Sequence, residues 1–520
     1  MSDIVWTENS IGRKVPLSAG GRSLKPYAGL FGCPLPERGV GTAFHSCSER
    51  GRPNKLVHSW DELFDRLDLR DGMTVSFHHH LRDGDAVVNE AVDRLAARGL
   101  KGLVIAPSAL FPVHDHLIAY IESGVIDHIE GSMNGLTGEA CSRGKMKGLS
   151  ILRSHGGRCR AIETGELQID LAIIAAPCAD PFGNANGFYG KSACGPLAYA
   201  VPDSLYARQV VVVTDGLVPY PCSPNSIRGG SVDYVLQVDS IGDPQKIVSG
   251  TTCLTHSPTQ LLIADLASRF VEETGIMKEG FSFQAGAGGI SLAAVAAVAE
   301  RMRRRGIKAS YAHGGATGIL VKLLEEGLLG AIIDIQSFDL EAVRSGRENP
   351  RHIESTPFDS YGPQGAGCSA NMLDFSLLGA TEIDLDFNVN VNTHSDGMLR
   401  HGIGGHQDVA VSSSCCIVTA PLFRKRIPIV REKVTTVSCP GEAVDVLITE
   451  RGIAINPRRP DLRERAEKAG LPVKEMSELM EMARAITGVP DQPQFGDRPV
   501  ALVQWRDGSI LDVVREIEAE

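Results

Sequence analysis

Few of the features that usually point to a macromolecular partner are present in this chain. Aromatic residues are only 5% of its 520 positions, and no basic stripe interleaves with them. Together with a formal charge of −11 and a pI near 5.8, this argues against a nucleic-acid surface. The longest run of small apolar residues, Ile290 to Ala299, is far below the roughly 20 residues needed to cross a bilayer. The twelve cysteines include no C-x-x-C, and the opening MSDIVWTENS carries no apolar signal segment, so reduced thiols in a cytoplasm are expected, with Cys415 and Cys416 in a core. There is no clustered carboxylate site and no His-x-x-x-His helix, so no metal site is expected.

The remainder is ordinary globular material. Hydrophobic residues are 43% and charged residues 22%, enough for two or three domains with real cores. Residues 1–55 are rich in Gly, Pro and Arg without periodicity and predict an extended N-terminal arm over a partner or over the chain's own core. From Trp60 onward short apolar runs alternate with amphipathic helices, the rhythm of a parallel α/β sheet, and the rhythm restarts at Leu261. The division expected is an arm, 1–55, and two similar open-sheet α/β domains, 56–260 and 261–520. Leu447 onward is read as the end of the second domain, with Arg458-Arg459 as a solvated turn or an acidic-partner contact.

The strongest local signal is GFSFQAGAGGISLA, residues 280–293. A β-like run breaks into Gly286, Gly288 and Gly289 and resumes as a helix, so unhindered N–H groups stand at a helix start and can cradle an anion. Tight packing is the alternative. A dinucleotide fold is set aside, because Arg301 to Arg305 follow where an acidic ribose-binding residue would be needed. Val75 to Asp85, VSFHHHLRDGD, follows another strand and gathers His78, His79, His80 and Arg82 as cationic or donor groups suited to a polycarboxylate. His155 and His313, each followed by two glycines, are further donor candidates, with satisfied core histidines as the alternative. A faint echo pairs Leu167 to Asp170 and the later Asn184 and Asn186 with Thr381 to Asp384 and the later Asn388, Asn390 and Asn392. These asparagines either turn the chain or line a shared crevice.

The motifs DGMTVSFHH, RDGD, SHGGR, ELQID, DPFGNANGFYGK, KEGFSFQAGAGGISLA, DIQSFD, NPRHIE, FNVNV and SDGMLRHGIGGHQD resemble the alpha chain of bacterial citrate lyase, its citrate CoA-transferase subunit, from about Leu56 to Val514. The resemblance implies the general CoA-transferase fold, two α/β domains with the thioester between them. It also implies a cytoplasmic complex with a beta (citryl lyase) chain and a gamma (acyl carrier) chain, and a homo-oligomer within that complex. Acetate would be exchanged for citrate on the carrier's phosphoribosyl-dephospho-CoA arm, with acetyl-CoA as a surrogate and no cofactor bound covalently to this chain. Related transferases use a glutamate nucleophile; counting back from Leu323 to Gly327 puts Gly314 in its place, so citrate is expected to attack the acetyl thioester directly, through a mixed anhydride. Gly314 and Gly315 would admit the tricarboxylate, Gly286, Gly288 and Gly289 would hold the oxyanion, and Arg400 would pair with a carboxylate, a phosphate or a nearby acid. Glu354 and Glu382 are the candidate substitutes for the nucleophile, but each flanks a strand-like run and a structural role is expected for it. The alternatives are a free-CoA carboxylate or citramalate transferase with a covalent glutamate, and a non-catalytic scaffold of a lyase.

Overall fold

A computed structural model describes residues 4–33, 52, 54–248, 254–363 and 367–517. Runs such as Leu171–Ala176 (LAIIAA) and Gln209–Thr214 (QVVVVT) are apolar on both faces, as strands covered by helices on both sides must be. They build a seven-stranded, wholly parallel sheet. Its order is Leu56–Val57, Tyr234–Gln237, Gln209–Thr214, Leu171–Ala176, Thr74–Phe77, Leu103–Pro107, Ile126–Ile129.

A second sheet has eight strands in the order His352–Glu354, Leu329–Ser337, Ala309–Ala316, Phe281–Ala285, Phe375–Gly379, Cys416–Thr419, Val446–Thr449, Gly452–Ile455. Only the last pair is antiparallel. The α/β class expected from the sequence is therefore present in both halves.

In each sheet the chain winds outward in one direction and then returns to start in the other. The reversal falls between Thr74–Phe77 and Leu171–Ala176 in the first sheet, and between Phe281–Ala285 and Phe375–Gly379 in the second. The connecting loops part at such a point and leave a crevice beyond the carboxyl ends of the strands. The histidine loop leaves the first reversal and the glycine loop leaves the second.

The terminal segment does not finish the second sheet as expected. Phe495–Gln504 and Ile510–Ile517 form a hairpin whose first strand pairs in parallel with Ser150–Leu152 of the first half. The described part of the arm lies on this hairpin: Asn9 donates to the carbonyls of Ile510 and Leu511, Arg13 pairs with Asp512 at 2.6 Å, and Tyr27 meets Trp505 edge to face. Residues 34–51 lie outside the described residues. The Arg301 to Arg305 cluster is a helix face tied to acids, with Arg301 bonding Asp265 and Glu272.

Candidate functional site

The carboxyl ends of the two sheets meet. Gln336 Nε2 donates to the His80 carbonyl at 3.3 Å, Leu197 N–H donates to Glu354 Oε1, and Gly156 N–H donates to Asp408 Oδ2. Between them runs a series of rings. His79 lies 5.9 Å from Phe111 and stacks on Tyr199 at 4.8 Å; Tyr199 meets His155 at 4.3 Å, His155 meets Tyr361 at 6.3 Å, and Tyr361 meets His313 edge to face at 5.2 Å. His79 and His155 thus join His313 of the other sheet across one crevice.

The histidines are not the cationic cluster that their spacing suggested. Burial pushes His78, His155 and His313 down to about 3 and His79 and His80 well below the usual range, because an imidazolium loses its hydration there. His78 Nε2 accepts the Ala175 N–H at 2.8 Å, and His79 Nδ1 bonds Ser108 Oγ at 2.5 Å. The positive charge of this loop belongs to Arg82. Its guanidinium lies over Phe338 at 4.7 Å and Phe111 at 5.1 Å, one ring from each half of the molecule. Burial lowers it to about 10, well above neutral pH, so it stays charged. Its backbone is left-handed, φ 53°, a strained conformation for a non-glycine residue.

The glycine loop is divided in its duties. Gly286 N–H is spent on the Leu377 carbonyl, so it does not serve an oxyanion. Gly288 is the N-cap and Gly289 the first residue of the helix Gly289–Arg305, and a Cβ on Gly288 would meet nothing within 4 Å. The first turn of this 17-residue helix carries no side-chain cap at its positive end. Gly314 and Gly315 do not open the expected room. Gly314 has φ +100°, and a Cβ there would come within 2.9 Å of the Gln284 side chain; one on Gly315 would fall 1.7 Å from the Phe338 ring. These glycines allow close packing of Gln284 and Phe338 instead.

Several other candidates are turned inward. Asn184 bonds Asp180 and accepts the Gly229 N–H, and Asn186 accepts the N–H groups of Phe188 and Tyr189. In the other half Asn388 bonds Asp384 and accepts the Gly441 N–H, while Asn390 accepts from Asn392 and Thr393. The echo is thus a duplicated turn, Asp180–Asn186 matching Asp384–Asn390, with Gly183 at φ +101° where Phe387 has +64°. Its asparagines hold backbone rather than ligand. Asn392 is likewise consumed by the His401 carbonyl and Ser438. Arg400 is ion-paired with Glu139 and Asp396, the structural alternative. Glu354 accepts from Ser226 and Leu197, and Glu382 pairs with Arg431 and accepts from Asn390 and Thr435, so neither carboxylate is presented for attack. Among the described residues no three His, Cys, Asp or Glu side chains gather around a metal position.

Residue spacing did not single out Ser108, Phe111, Tyr199, Gln284, Gln336, Phe338, Tyr361 or Asp408. Gln284, the Gln336 to Phe338 run and Asp408 sit inside three of the family-like motifs, the one available signal. Asp408 is fully buried, accepting from Ser154 Oγ and Gly156 N–H with Arg506 at 3.3 Å, and burial raises its carboxyl to about 6 against those donors.

Comparison with known proteins places these features. The family model described as citrate lyase, alpha subunit, matches residues 53–517. The citrate lyase alpha chain of Klebsiella pneumoniae is 46% identical over 496 residues, 95% of this chain and 96% of that one. A Streptococcus mutans structure described as an alfa subunit of citrate lyase in complex with citrate is 44% identical, with a TM-score of 0.91 over 98% of this chain and 100% of that one. A 4-hydroxybutyrate CoA-transferase from Porphyromonas gingivalis, 16% identical, shares the fold, with a TM-score of 0.52 over 83% of this chain and 97% of that one.

Proposed function

Because the chain belongs to the citrate lyase alpha subunit family, we propose that it is the citrate transferase of a lyase complex, exchanging acetate for citrate on an acyl carrier thioester. The observation that carries this is the meeting of the two sheets' carboxyl ends: a charged Arg82 is clamped between rings from both halves, and a helix N-terminus without a side-chain cap stands at the second reversal point. A carboxylate nucleophile and a thioester carbonyl need those two things.

Citrate is ionised at neutral pH, so its carboxylate needs no general base. Arg82 holds one carboxylate through charge-assisted hydrogen bonds while another attacks the acetyl carbonyl. The new C–O bond forms as negative charge develops on the carbonyl oxygen, which the N–H groups at Gly288 and Gly289 stabilise. The C–S bond then breaks to release a thiolate and leave an acetic-citric anhydride. The thiolate attacks the citryl carbonyl, and acetate departs. The rings of Phe111, Phe338, Tyr199 and Tyr361 keep water from the activated carbonyls.

No covalent acyl-enzyme is part of this route, in keeping with the engaged carboxylates of Glu354 and Glu382. The thioester arrives on a phosphoribosyl-dephospho-CoA arm of the gamma chain, and the open side of Gly288 leaves space for such an arm. The beta chain cleaves the citryl thioester, and the assembly, with more than one copy of this chain, is cytoplasmic. Among the described residues no helix is long and apolar enough to cross a membrane.

The test is to incubate the purified chain with acetyl-CoA and citrate, follow citryl-CoA and acetate, and treat a parallel sample with borohydride. Citrate-dependent exchange without a trapped glutamyl adduct is expected. A trapped adduct would establish the covalent route, and no exchange at all would leave the scaffold.

A further inference from the structure

One buried polar atom at the crevice is unused by the mechanism above. His313 is 1% exposed, and its Nε2 has no hydrogen-bond partner among the described residues. Its other ring nitrogen, Nδ1, lies 2.9 Å from Gln284 Oε1, and the two residues are register partners on adjacent strands. An amide oxygen only accepts, so this contact places the imidazole proton on Nδ1 and leaves Nε2 as a lone pair.

The Gln284 side chain is held close against this strand. Gly314 allows this closeness, since a Cβ there would press on the Gln284 side chain. Burial keeps the imidazole neutral, with its pKa pushed down to about 3, so the lone pair does not become a donor at neutral pH. A buried lone pair has the wrong polarity for a carboxylate, because two acceptors would face each other. It suits a hydroxyl.

We propose that His313 Nε2 accepts the hydroxyl hydrogen of the substrate, and that Gln284 is the positioning residue that fixes the required tautomer, so that the site selects a hydroxylated tricarboxylate over its deoxy analogue. This rests on the citrate-transfer function above and deepens it. Citramalate keeps the hydroxyl, so this contact does not reject it; the missing carboxylate arm must be sensed elsewhere.

The test uses the full-length chain with acetyl-CoA as donor. It compares kcat/KM for citrate with kcat/KM for propane-1,2,3-tricarboxylate, which lacks only the hydroxyl. The wild type is expected to favour citrate on the order of 10- to 100-fold, the penalty for leaving a buried acceptor unpaired. His313→Ala and Gln284→Met should bring that ratio to roughly unity, whereas general structural damage lowers both rates and preserves the ratio. A wild type that treats the two acids alike overturns the assignment without any variant, as do variants that lose activity on both acids with the ratio unchanged. A wild type inactive towards both acids would remove the citrate-transfer function itself, and this assignment with it.

Discussion

Replacing Arg82 by glycine separates binding from folding, because the residue is strained where it stands. At φ 53° a non-glycine backbone costs about 1 kcal/mol or more, which glycine relieves. Against this stand glycine's extra chain entropy, about 0.5 to 1 kcal/mol, and the loss of packing between Phe111 and Phe338. Thermal stability is therefore expected to change little. Binding is different: Arg82 as a whole is only 9% exposed, so a carboxylate hydrogen-bonded to it is shielded from competing water. Loss of such a charge-assisted contact is worth about 1.5 to 3 kcal/mol, or roughly 10- to 150-fold in kcat/KM. Steady-state transfer from acetyl-CoA at varied citrate should show the loss mainly in KM, with the melting temperature recorded alongside. A KM for citrate within about twofold of wild type, in a folded variant, would refute the role of Arg82.

Two further outcomes follow from the same geometry. Gly288→Val places its side chain in open space and costs only about 1 kcal/mol as a poorer N-cap, yet it crowds the helix N-terminus, so turnover should fall on the order of 100-fold while the fold survives; retained turnover would move the oxyanion site elsewhere. Asp408 has a folded pKa raised from 3.8 to about 6, so it contributes stability that is full below about pH 4 and lost as pH rises through about 6, on the order of 3 kcal/mol in total. Melting temperature measured from pH 4 to 8 should carry that step in the wild type and lack it in Asp408→Asn, and parallel curves would show that another group is responsible.

Local pattern alone made the α/β architecture legible. Apolar runs such as LAIIAA and QVVVVT can only be strands covered on both faces, and the glycines after Gln284 had to begin a helix. The same patterns placed His78 to Arg82 and Gly286 to Gly289 at strand ends, where ligands bind in such sheets. The family-like motifs supplied the chemistry. None of this required knowledge of which strands lie side by side.

The tertiary structure decided the state and the neighbours of those groups. That the histidines are neutral and Arg82 carries the charge depends on burial by chain segments far away in sequence, and desolvation cannot be read from spacing. Asn184 and Asn390 fit a turn or a ligand equally well as letters; the carboxylates of Asp180 and Glu382, reached only through the folded backbone, settle that they hold turns. The terminal hairpin joins the first half of the molecule because its partner, Ser150–Leu152, is about 350 residues upstream. Strand periodicity fixes which face of a segment is apolar, whereas the choice of partner is made by the whole core.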